Sequence, residues 1–219
     1  MVFGRHKWKS EDPYRRESAI KELTDQKVLV DIAKNDKEAW VRCSAVDKLT
    51  DQVILTEIAK SDKDSRPRQH AVRKLFDQSV LAEIAKNDEN WEVRDAAVSR
   101  LTNTQNLIDV ANNSKSCKAI FGNDEKDRVR FIAADKLIDQ TFVQNVFLEI
   151  AKNKANYESL REDAIKKLTD KDMLNSIVNG EKDDYYYEYE VDYTYYGYSK
   201  KTSDLREKAR ERLAELYRE

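Results

Sequence analysis

Apolar residues recur along most of the chain at the spacing of short amphipathic helices, and the whole pattern repeats every 26 residues. The segments 23–48, 49–74 and 75–100 align without a gap. Three aligned columns are apolar throughout: Leu23, Leu49, Leu75 and Leu101; Ile32, Ile58, Ile84 and Val110; Ala33, Ala59, Ala85 and Ala111. Self-similarity at a fixed period of this length is typical of repeat architectures.

Each 26-residue unit is predicted to contain two short helices. In the second unit, apolar residues at i, i+3 and i+4 favour a first helix over about 52–60. Either Thr50 or Asp51 is expected to cap its N-terminus with a side-chain oxygen. A second helix is expected to begin near Arg66 or Pro67, because proline is tolerated in a first turn. One pair cannot bury its apolar face alone, so neighbouring pairs are expected to stack.

Interruptions divide the later part of the pattern. Insertions are predicted at about 112–127 and 180–203, and the sequence IDQ at 138–140 is interpreted as restarting the register. About six helix pairs follow an N-terminal half unit, which predicts one domain over 14–219. Residues 1–13 are basic and are expected to form a flexible arm.

Composition agrees with a helical protein that has a heavily charged surface. Only four glycines and two prolines occur in 219 residues, which favours an all-α fold. Charged residues make up 37% of the chain but the net charge is −2, which argues against a dedicated nucleic-acid binder. Cys43 and Cys117 form no ligand pair and no disulfide framework, which indicates a reducing compartment. With no apolar run near 18 residues, a cytoplasmic protein is expected.

The third unit contains Asp88 in its turn, followed by Val93-Arg94, Ala96-Ala97-Val98 and Arg100-Leu101. This pattern resembles the short HEAT-like repeats of bacterial proteins. The resemblance implies an all-α, right-handed α-solenoid in which the second helices line the concave face. HEAT-like solenoids serve as scaffolds, partner-binding surfaces, DNA glycosylases and bilin lyases, so the resemblance constrains function much less than fold.

One arginine recurs in each unit at the edge of the apolar face of the second helix. A partly buried cation needs partners, and Asp36, Asp62 and Asp88 precede three of these arginines by six residues. A structural ladder is predicted, as in HEAT-like families, and a line of anion-binding groups is the alternative. The column consists of Arg16, Arg42, Arg68, Arg94, Arg130, Arg161 and Arg206.

A second basic column follows the later six of these arginines by six residues, and Glu22 interrupts it after Arg16. It lies on the flank of the second helix, where the favoured interpretation is a solvated helix edge with partners four residues away. The other interpretation is a stripe along the groove, which suits phosphate backbones or an acidic protein segment. The column consists of Lys48, Lys74, Arg100, Lys136, Lys167 and Arg212.

The tract 183–201 contains eight of the eleven tyrosines and five acidic residues. Alternation of Tyr or Val with polar residues predicts a short β-hairpin insert near 185–198, with one aromatic and one acidic face. Such a hairpin suits a basic partner, and the alternative is an end cap on the last unit. The predicted contact residues are Tyr186, Tyr187, Glu188, Tyr189, Glu190, Tyr193, Tyr195 and Tyr196.

Catalytic and metal-binding motifs are not found in the sequence. His6 and His70 are the only histidines, and no HExxH, CxxC, GxGxxG, P-loop or GxSxG occurs. Trp40 and Trp91 are expected to pack at the starts of second helices. We therefore expect no enzyme activity, no cofactor and no metal.

A protein-interaction or scaffold module is the function that the sequence favours. It is predicted to bind a partner protein through the concave second-helix face and through the tyrosine-rich insert. A nucleic-acid-binding solenoid that uses the basic stripe is the first alternative. A HEAT-like lyase or DNA glycosylase is the second. The partner and the oligomeric state are left open.

Overall fold

The computed structural model describes residues 7–113, 124–137, 140–154, 156–180 and 204–219. Within these ranges the chain forms thirteen α-helices and one short 3₁₀-helix, and no β-strand. The all-α class predicted from the repeat is therefore confirmed. The hairpin predicted near 185–198 lies outside the described residues, as does most of each predicted insertion.

A single helix is followed by six consecutive helix pairs, each with a first and a second helix that contact each other. The 3₁₀-helix Lys7–Lys9 precedes them. The helices are α1 (Pro13–Glu22), α2 (Gln26–Asn35), α3 (Ala39–Lys48), α4 (Gln52–Ser61), α5 (Ser65–Val72), α6 (Gln78–Asn87), α7 (Trp91–Arg100), α8 (Thr104–Asn113), α9 (Asp124–Asp135), α10 (Gln140–Lys152), α11 (Glu158–Lys167), α12 (Lys171–Val178) and α13 (Leu205–Leu216).

Four of the first helices begin directly after an aspartate that caps them. The carboxylate of Asp51 accepts hydrogen bonds from the N–H groups of Val53 at 2.8 Å and Ile54 at 3.3 Å. These donors have no partner inside the helix, so the cap fixes where the helix starts. Of the two candidate caps in this unit, the structure uses Asp51 and not Thr50. The same cap precedes the other three helices at Asp25, Asp77 and Asp170.

The apolar columns of the repeat form one continuous core between the helices. Leu49, Leu75 and Leu101 are fully buried, whereas Leu23 at the start of the series is half-buried. The alanine column is also fully buried and allows close approach of the helices: Ala33, Ala59, Ala85 and Ala111. Burial of these faces against neighbouring pairs supplies the main driving force for the fold.

The second helices of successive pairs pack side by side. α1 contacts α3, α3 contacts α5, α5 contacts α7 and α7 contacts α9, and α11 contacts α13 in the last two pairs. The first helices α2, α4 and α6 contact one another less extensively. From α1 to α6 the second helices are therefore the more closely packed, whereas further along the chain α6 also packs closely on α8 and α9 contacts α11 only slightly.

A glutamine near the start of several first helices bridges to the end of its own pair. The amide of Gln52 donates to the carbonyl of Lys74 at 3.1 Å, and its oxygen accepts from the N–H of Phe76 at 3.1 Å. This pairing satisfies backbone groups that the end of the second helix leaves free. Gln26 and Gln78 bridge in the same way.

The fifth pair differs in register from the sequence interpretation. There Gln144 makes the equivalent bridge, donating to the carbonyl of Lys167 at 3.2 Å and accepting from the N–H of Thr169 at 2.7 Å. The restart placed at 138–140 was thus one helical turn too early, because α10 carries an additional turn before its bridging glutamine.

The segment immediately before α1 is held against the helices. Trp8 is half-buried and packs against the core. The carbonyls of Ser10 and Glu11 each accept a hydrogen bond of 2.9 Å from Nη1 of Arg16. The indole of Trp8 and these backbone bonds therefore connect the segment 8–11 to the helices.

Among the helices that the structure describes, none combines the length and the hydropathy needed to cross a membrane.

Replacement of the helix cap is expected to separate the two candidate capping residues. Asp51→Ala should lower the free energy of unfolding by about 1 kcal/mol, because the N–H groups of Val53 and Ile54 lose their acceptor. Thr50→Ala, the adjacent control, should change it by less than about 0.5 kcal/mol. Urea denaturation followed by circular dichroism measures both. A larger loss for Thr50→Ala would contradict the assigned cap.

Candidate functional site

Three arginines join consecutive helix pairs through paired hydrogen bonds to an aspartate. Nε and Nη2 of Arg42 donate to the two carboxylate oxygens of Asp62, both at 2.8 Å. This planar, two-point geometry is the strongest form of a side-chain ion pair. Arg16 pairs with Asp36 at 2.6 and 2.8 Å, and Arg68 with Asp88 at 2.9 Å for both bonds.

The remaining terminal nitrogen of each arginine bonds to the turn of its own pair. Nη1 of Arg42 donates to the carbonyl of Asp36 at 2.8 Å. The carboxylate of Asp36 in turn accepts from the N–H of Glu38 at 3.0 Å, which closes the turn. Each aspartate therefore shapes its own turn and receives the arginine of the preceding pair. The guanidinium groups of Arg16, Arg42 and Arg68 are thus occupied within the protein and present no anion site.

These ion pairs are buried, so removing one partner leaves an uncompensated charge at a high energetic cost. The side chain of Arg42 is 2% exposed and that of Asp62 is 6% exposed. Hydrogen bonds to Asp62 raise the pKa of Arg42 despite burial. Burial raises the pKa of Asp36, but hydrogen bonds from Arg16 and from the Glu38 N–H outweigh that effect and lower it. The aspartate is therefore ionised in the folded protein.

The later arginines of the column also bond to groups of their own pair. As in the earlier units, Nη1 of Arg94 donates to the carbonyl of the turn aspartate, Asp88, at 2.9 Å. Nε of Arg161 donates to the carbonyl of Ala151 at 2.8 Å, and Arg206 pairs with Asp204 at the start of its own helix.

Arg130 belongs to a buried polar cluster that sequence inspection missed. Its Nη1 donates to Asp127 at 2.9 Å, and Asp127 is only 3% exposed. The amides of Asn153 and Asn156 donate to the same carboxylate at 2.8 and 2.7 Å. The only signal in the sequence was that residues 153–157 contain no aspartate, unlike the turns at Asp36, Asp62 and Asp88. The cluster replaces the aspartate-based turn and leaves the carboxylate fully bonded.

The second basic column bonds to backbone carbonyls of the preceding pair. Nζ of Lys48 donates to the carbonyls of Ile20 at 2.9 Å and Lys21 at 2.7 Å, at the C-terminal end of α1. A cation at this position complements the negative end of the helix dipole. Lys136 makes three such bonds of 2.6 to 3.1 Å, to the carbonyls of Val98, Ser99 and Leu101.

The other members of this column follow the same principle with one exception. Lys74, Arg100 and Arg212 donate to the carbonyls of Asp47, Leu75 and Leu168 respectively. Lys167 pairs with the side chain of Asp135. Position along the helix predicts the flank but not these contacts, because the acceptors belong to another repeat. The column works as a set of helix caps between units rather than as a row of free ammonium groups.

Aromatic and cationic side chains line the N-terminal edge of the second helices. We call the set Tyr14, Trp40, Arg66, Trp91 and Arg128 the N-terminal row. The rings of Tyr14 and Trp40 lie 5.2 Å apart, and the Arg128 guanidinium lies 5.9 Å from the Trp91 ring. Arg66, on the helix between these two groups, is exposed.

The row remains largely accessible. Tyr14 is 73% exposed and Trp91 is 37% exposed, whereas Trp40 also packs against the core. Polar pairs beside it cross from one second helix to the next. Asp47 bonds to Nδ1 of His70 at 2.7 Å, and Asp95 lies 3.4 Å from Nε of Arg128. The surface of the second helices is therefore mixed in charge, with rings at one edge.

Reactive and metal-binding chemistry is sparse on this surface. Burial raises the pKa of Cys43 to about 11, so its thiol stays protonated near neutral pH. Among the described residues, no cluster of three or more His, Cys, Asp or Glu side chains could hold a metal ion. The predicted contacts of the tyrosine-rich tract, from Tyr186 to Tyr196, lie outside the described residues.

Comparison with known proteins adds nothing to this description, since no protein-family model, curated protein or solved structure matches the chain. Function is therefore inferred from the geometry of the described residues.

Loss of one partner of a buried pair is expected to destabilise the protein strongly. Arg42→Met should cost about 3–5 kcal/mol of unfolding free energy, because Asp62 then stays buried without its cation. Adding Asp62→Asn to the Arg42→Met variant should lower the unfolding free energy much less than Asp62→Asn does in the natural chain, because no buried charge then remains without a partner. Urea denaturation of both single variants and the double variant measures the coupling.

The exposed Arg73→Met variant is the matched control for loss of an arginine, and it should change the free energy by less than about 0.5 kcal/mol. Simple additivity of the Arg42 and Asp62 effects would contradict the assigned link.

Stability is expected to fall in acid because the pKa of Asp36 is lower folded than unfolded. Its contribution is fully present above its ordinary value of 3.8 and is lost as the pH falls through the lower folded value. Asp36→Asn should be less stable than the natural chain at pH 7 and should lose less stability below about pH 4. Urea unfolding at pH 7, 5, 4 and 3 tests this. Asp31→Asn, on an exposed site, should keep the natural pH slope, and an unchanged slope for Asp36→Asn would contradict the assignment.

Proposed function

We propose that this chain is a non-catalytic protein-interaction module of the HEAT-like type, whose helix pairs stack as a solenoid and whose second-helix face binds a partner protein. The N-terminal row carries this proposal. Tyr, Trp and Arg are the residues most enriched at the energetic centres of protein interfaces. Here they occur near the starts of five second helices, with the exposed ring of Tyr14 at one end of the row and the exposed guanidinium of Arg128 at the other.

The packing of the units supports a solenoid that presents this surface rigidly. Second helices contact each other in sequence, and buried pairs such as Arg42–Asp62 tie each turn to the next. From α1 to α6, closer packing of the second helices than of the first ones favours curvature toward the second helices. A preorganised concave surface binds with little loss of conformational entropy, which suits recognition of another protein.

A continuous nucleic-acid track is less well supported. The ammonium groups of Lys48 and Lys136 point to backbone carbonyls, and Asp47 and Asp95 interrupt the basic residues. A phosphate backbone needs a run of available cations, because release of condensed counterions supplies most of its binding energy. The lyase or glycosylase alternative also gains little, since Trp40 packs on Tyr14 and Trp91 on Arg128.

The tyrosine-rich tract keeps its place as a second predicted contact element. Its eight tyrosines and five acidic residues lie within 183–201, outside the described residues. The proposed binding surface therefore rests on the N-terminal row alone.

Affinity capture tests the proposal with two matched double variants. The face variant is Tyr14→Ala with Arg66→Glu, and the control is Phe76→Ala with Lys27→Glu. Phe76 is 70% exposed, close to the 73% of Tyr14, and lies between α5 and α6. A protein captured from nuclease-treated cytosol by the full chain should be kept by the control and lost by the face variant, as mass spectrometry of the eluates would show.

Equal capture by the natural chain and the face variant would overturn the assignment of the surface. Capture that disappears on nuclease treatment would overturn protein recognition in favour of nucleic-acid binding. Replacement of residues 183–199 by a short linker, in a separate chain, tests the tract independently of the row.

A further inference from the structure

The N-terminal row combines two chemistries that together specify a class of partner. Arg66 is exposed, and among the described residues its guanidinium has no ion-pair partner. Arg128 is 55% exposed while it faces both Trp91 and Asp95. The rings of Tyr14 and Trp40 lie on the other side of Arg66. Cations therefore alternate with aromatic surface along the row.

The N-terminal ends of several helices converge on the same edge. Tyr14 and Trp40 contact each other from the first turns of α1 and α3, and Arg128 reaches Trp91 from near the start of α9. These contacts show that the N-termini of neighbouring second helices lie side by side. Carboxylate residues stand at the caps of α1, α3 and α5, namely Asp12, Glu38 and Asp64, so the positive charge along this edge comes from the arginines.

From these features we infer that the row binds an extended acidic peptide segment with aromatic side chains, supplied by a partner protein. This inference rests on the proposed function and names the chemistry of its partner. Carboxylates of the peptide pair with Arg66 and Arg128, while its rings pack on Tyr14 and Trp40. Cation–π contact adds to both where a ring of the peptide lies over the guanidinium of Arg66 or Arg128.

The spacing of the units suits an extended chain. Packed helices lie about 8–10 Å apart, and an extended peptide advances about 3.3 Å per residue. One unit of the row therefore corresponds to about three residues, and a peptide of about 12 residues reaches from α1 to α9. Because alternate side chains of such a peptide point the same way, a mixed acidic and aromatic sequence can meet the row continuously.

Carboxylates on the same face disfavour the competing polyanion. Glu92 is exposed beside Trp91, and Asp95 lies against Arg128. A nucleic acid places a phosphate at every nucleotide and cannot avoid these charges. A peptide can place a tyrosine opposite them, where the ring or hydroxyl is tolerated.

Fluorescence anisotropy of short labelled peptides tests the inference on the full chain. The probe is a 12-residue peptide with the repeat Glu-Ser-Tyr-Ser, which places glutamate and tyrosine in turn on one face of the extended chain, measured at low ionic strength. Arg66→Glu should weaken its binding about fivefold or more, because one favourable charge contact becomes repulsive. Lys27→Glu is the matched control: both side chains are exposed, and each is the second residue of its helix. The control should stay within about twofold of the natural chain.

Peptide composition provides the second comparison. The same peptide with Lys in place of each Glu, and the same peptide with Ser in place of each Tyr, should each bind about fivefold or more weakly than the probe, since each lacks one of the two chemistries. A 12-nucleotide single-stranded DNA should compete poorly. Thermal unfolding of each variant establishes that it is folded before binding is measured.

Several results would overturn the inference. These are no binding of the Glu and Tyr probe, equal binding of the Lys and Tyr peptide, equal losses for Arg66→Glu and Lys27→Glu, or tighter binding of the DNA. If the probe fails but a captured protein still depends on Tyr14 and Arg66, only the acidic chemistry is rejected. If substitutions in the row change neither capture of the protein nor binding of the probe, the proposed function fails as well.

Discussion

The hydrogen-bonded ion pair between the arginine of one helix pair and the turn aspartate of the next is the interaction on which the arrangement of the units depends. Apolar burial is non-directional and would tolerate sliding of one pair on another. The contact between Arg42 and Asp62 does not tolerate such sliding, because the Arg42 guanidinium must bond to both carboxylate oxygens and to a backbone carbonyl at once. Its desolvation cost is offset by these bonds, so the pair contributes register more than net stability.

Backbone groups at the joints between units explain most of the remaining polar residues. Helices this short leave a large fraction of their N–H and C=O groups without intrahelical partners. Aspartate caps satisfy the starts of helices, glutamines such as Gln52 bridge the linkers, and lysines such as Lys48 cover the C-terminal carbonyls of the preceding pair. Many charged side chains of the helix flanks are thereby bonded between units. What remains accessible at one edge is the N-terminal row, and this is why the functional proposal rests there.

Sequence reasoning succeeded where the cause is local and failed where the partner belongs to another unit. The cap at Asp51 and the inward positions of Leu49 and Leu75 follow from spacing within a few residues. The contacts of Lys48 were not predicted, because helical periodicity gives the flank on which a side chain lies, not the carbonyl 28 residues away that it meets. The register of α10 was misplaced because an additional turn preserves the apolar spacing while moving the bridging glutamine to Gln144.

By itself the sequence determined that this protein is all-α and built from a 26-residue unit of two helices, because periodicity and turn residues are encoded within each unit. It also marked the arginine column and the tyrosine-rich tract. The tertiary structure alone decided which charged side chains are bonded inside the protein and which are exposed. That distinction separates Lys136, bonded to three carbonyls, from Arg66, which is exposed. The physical reason is that burial and pairing depend on the contact between units, and no single unit contains both partners.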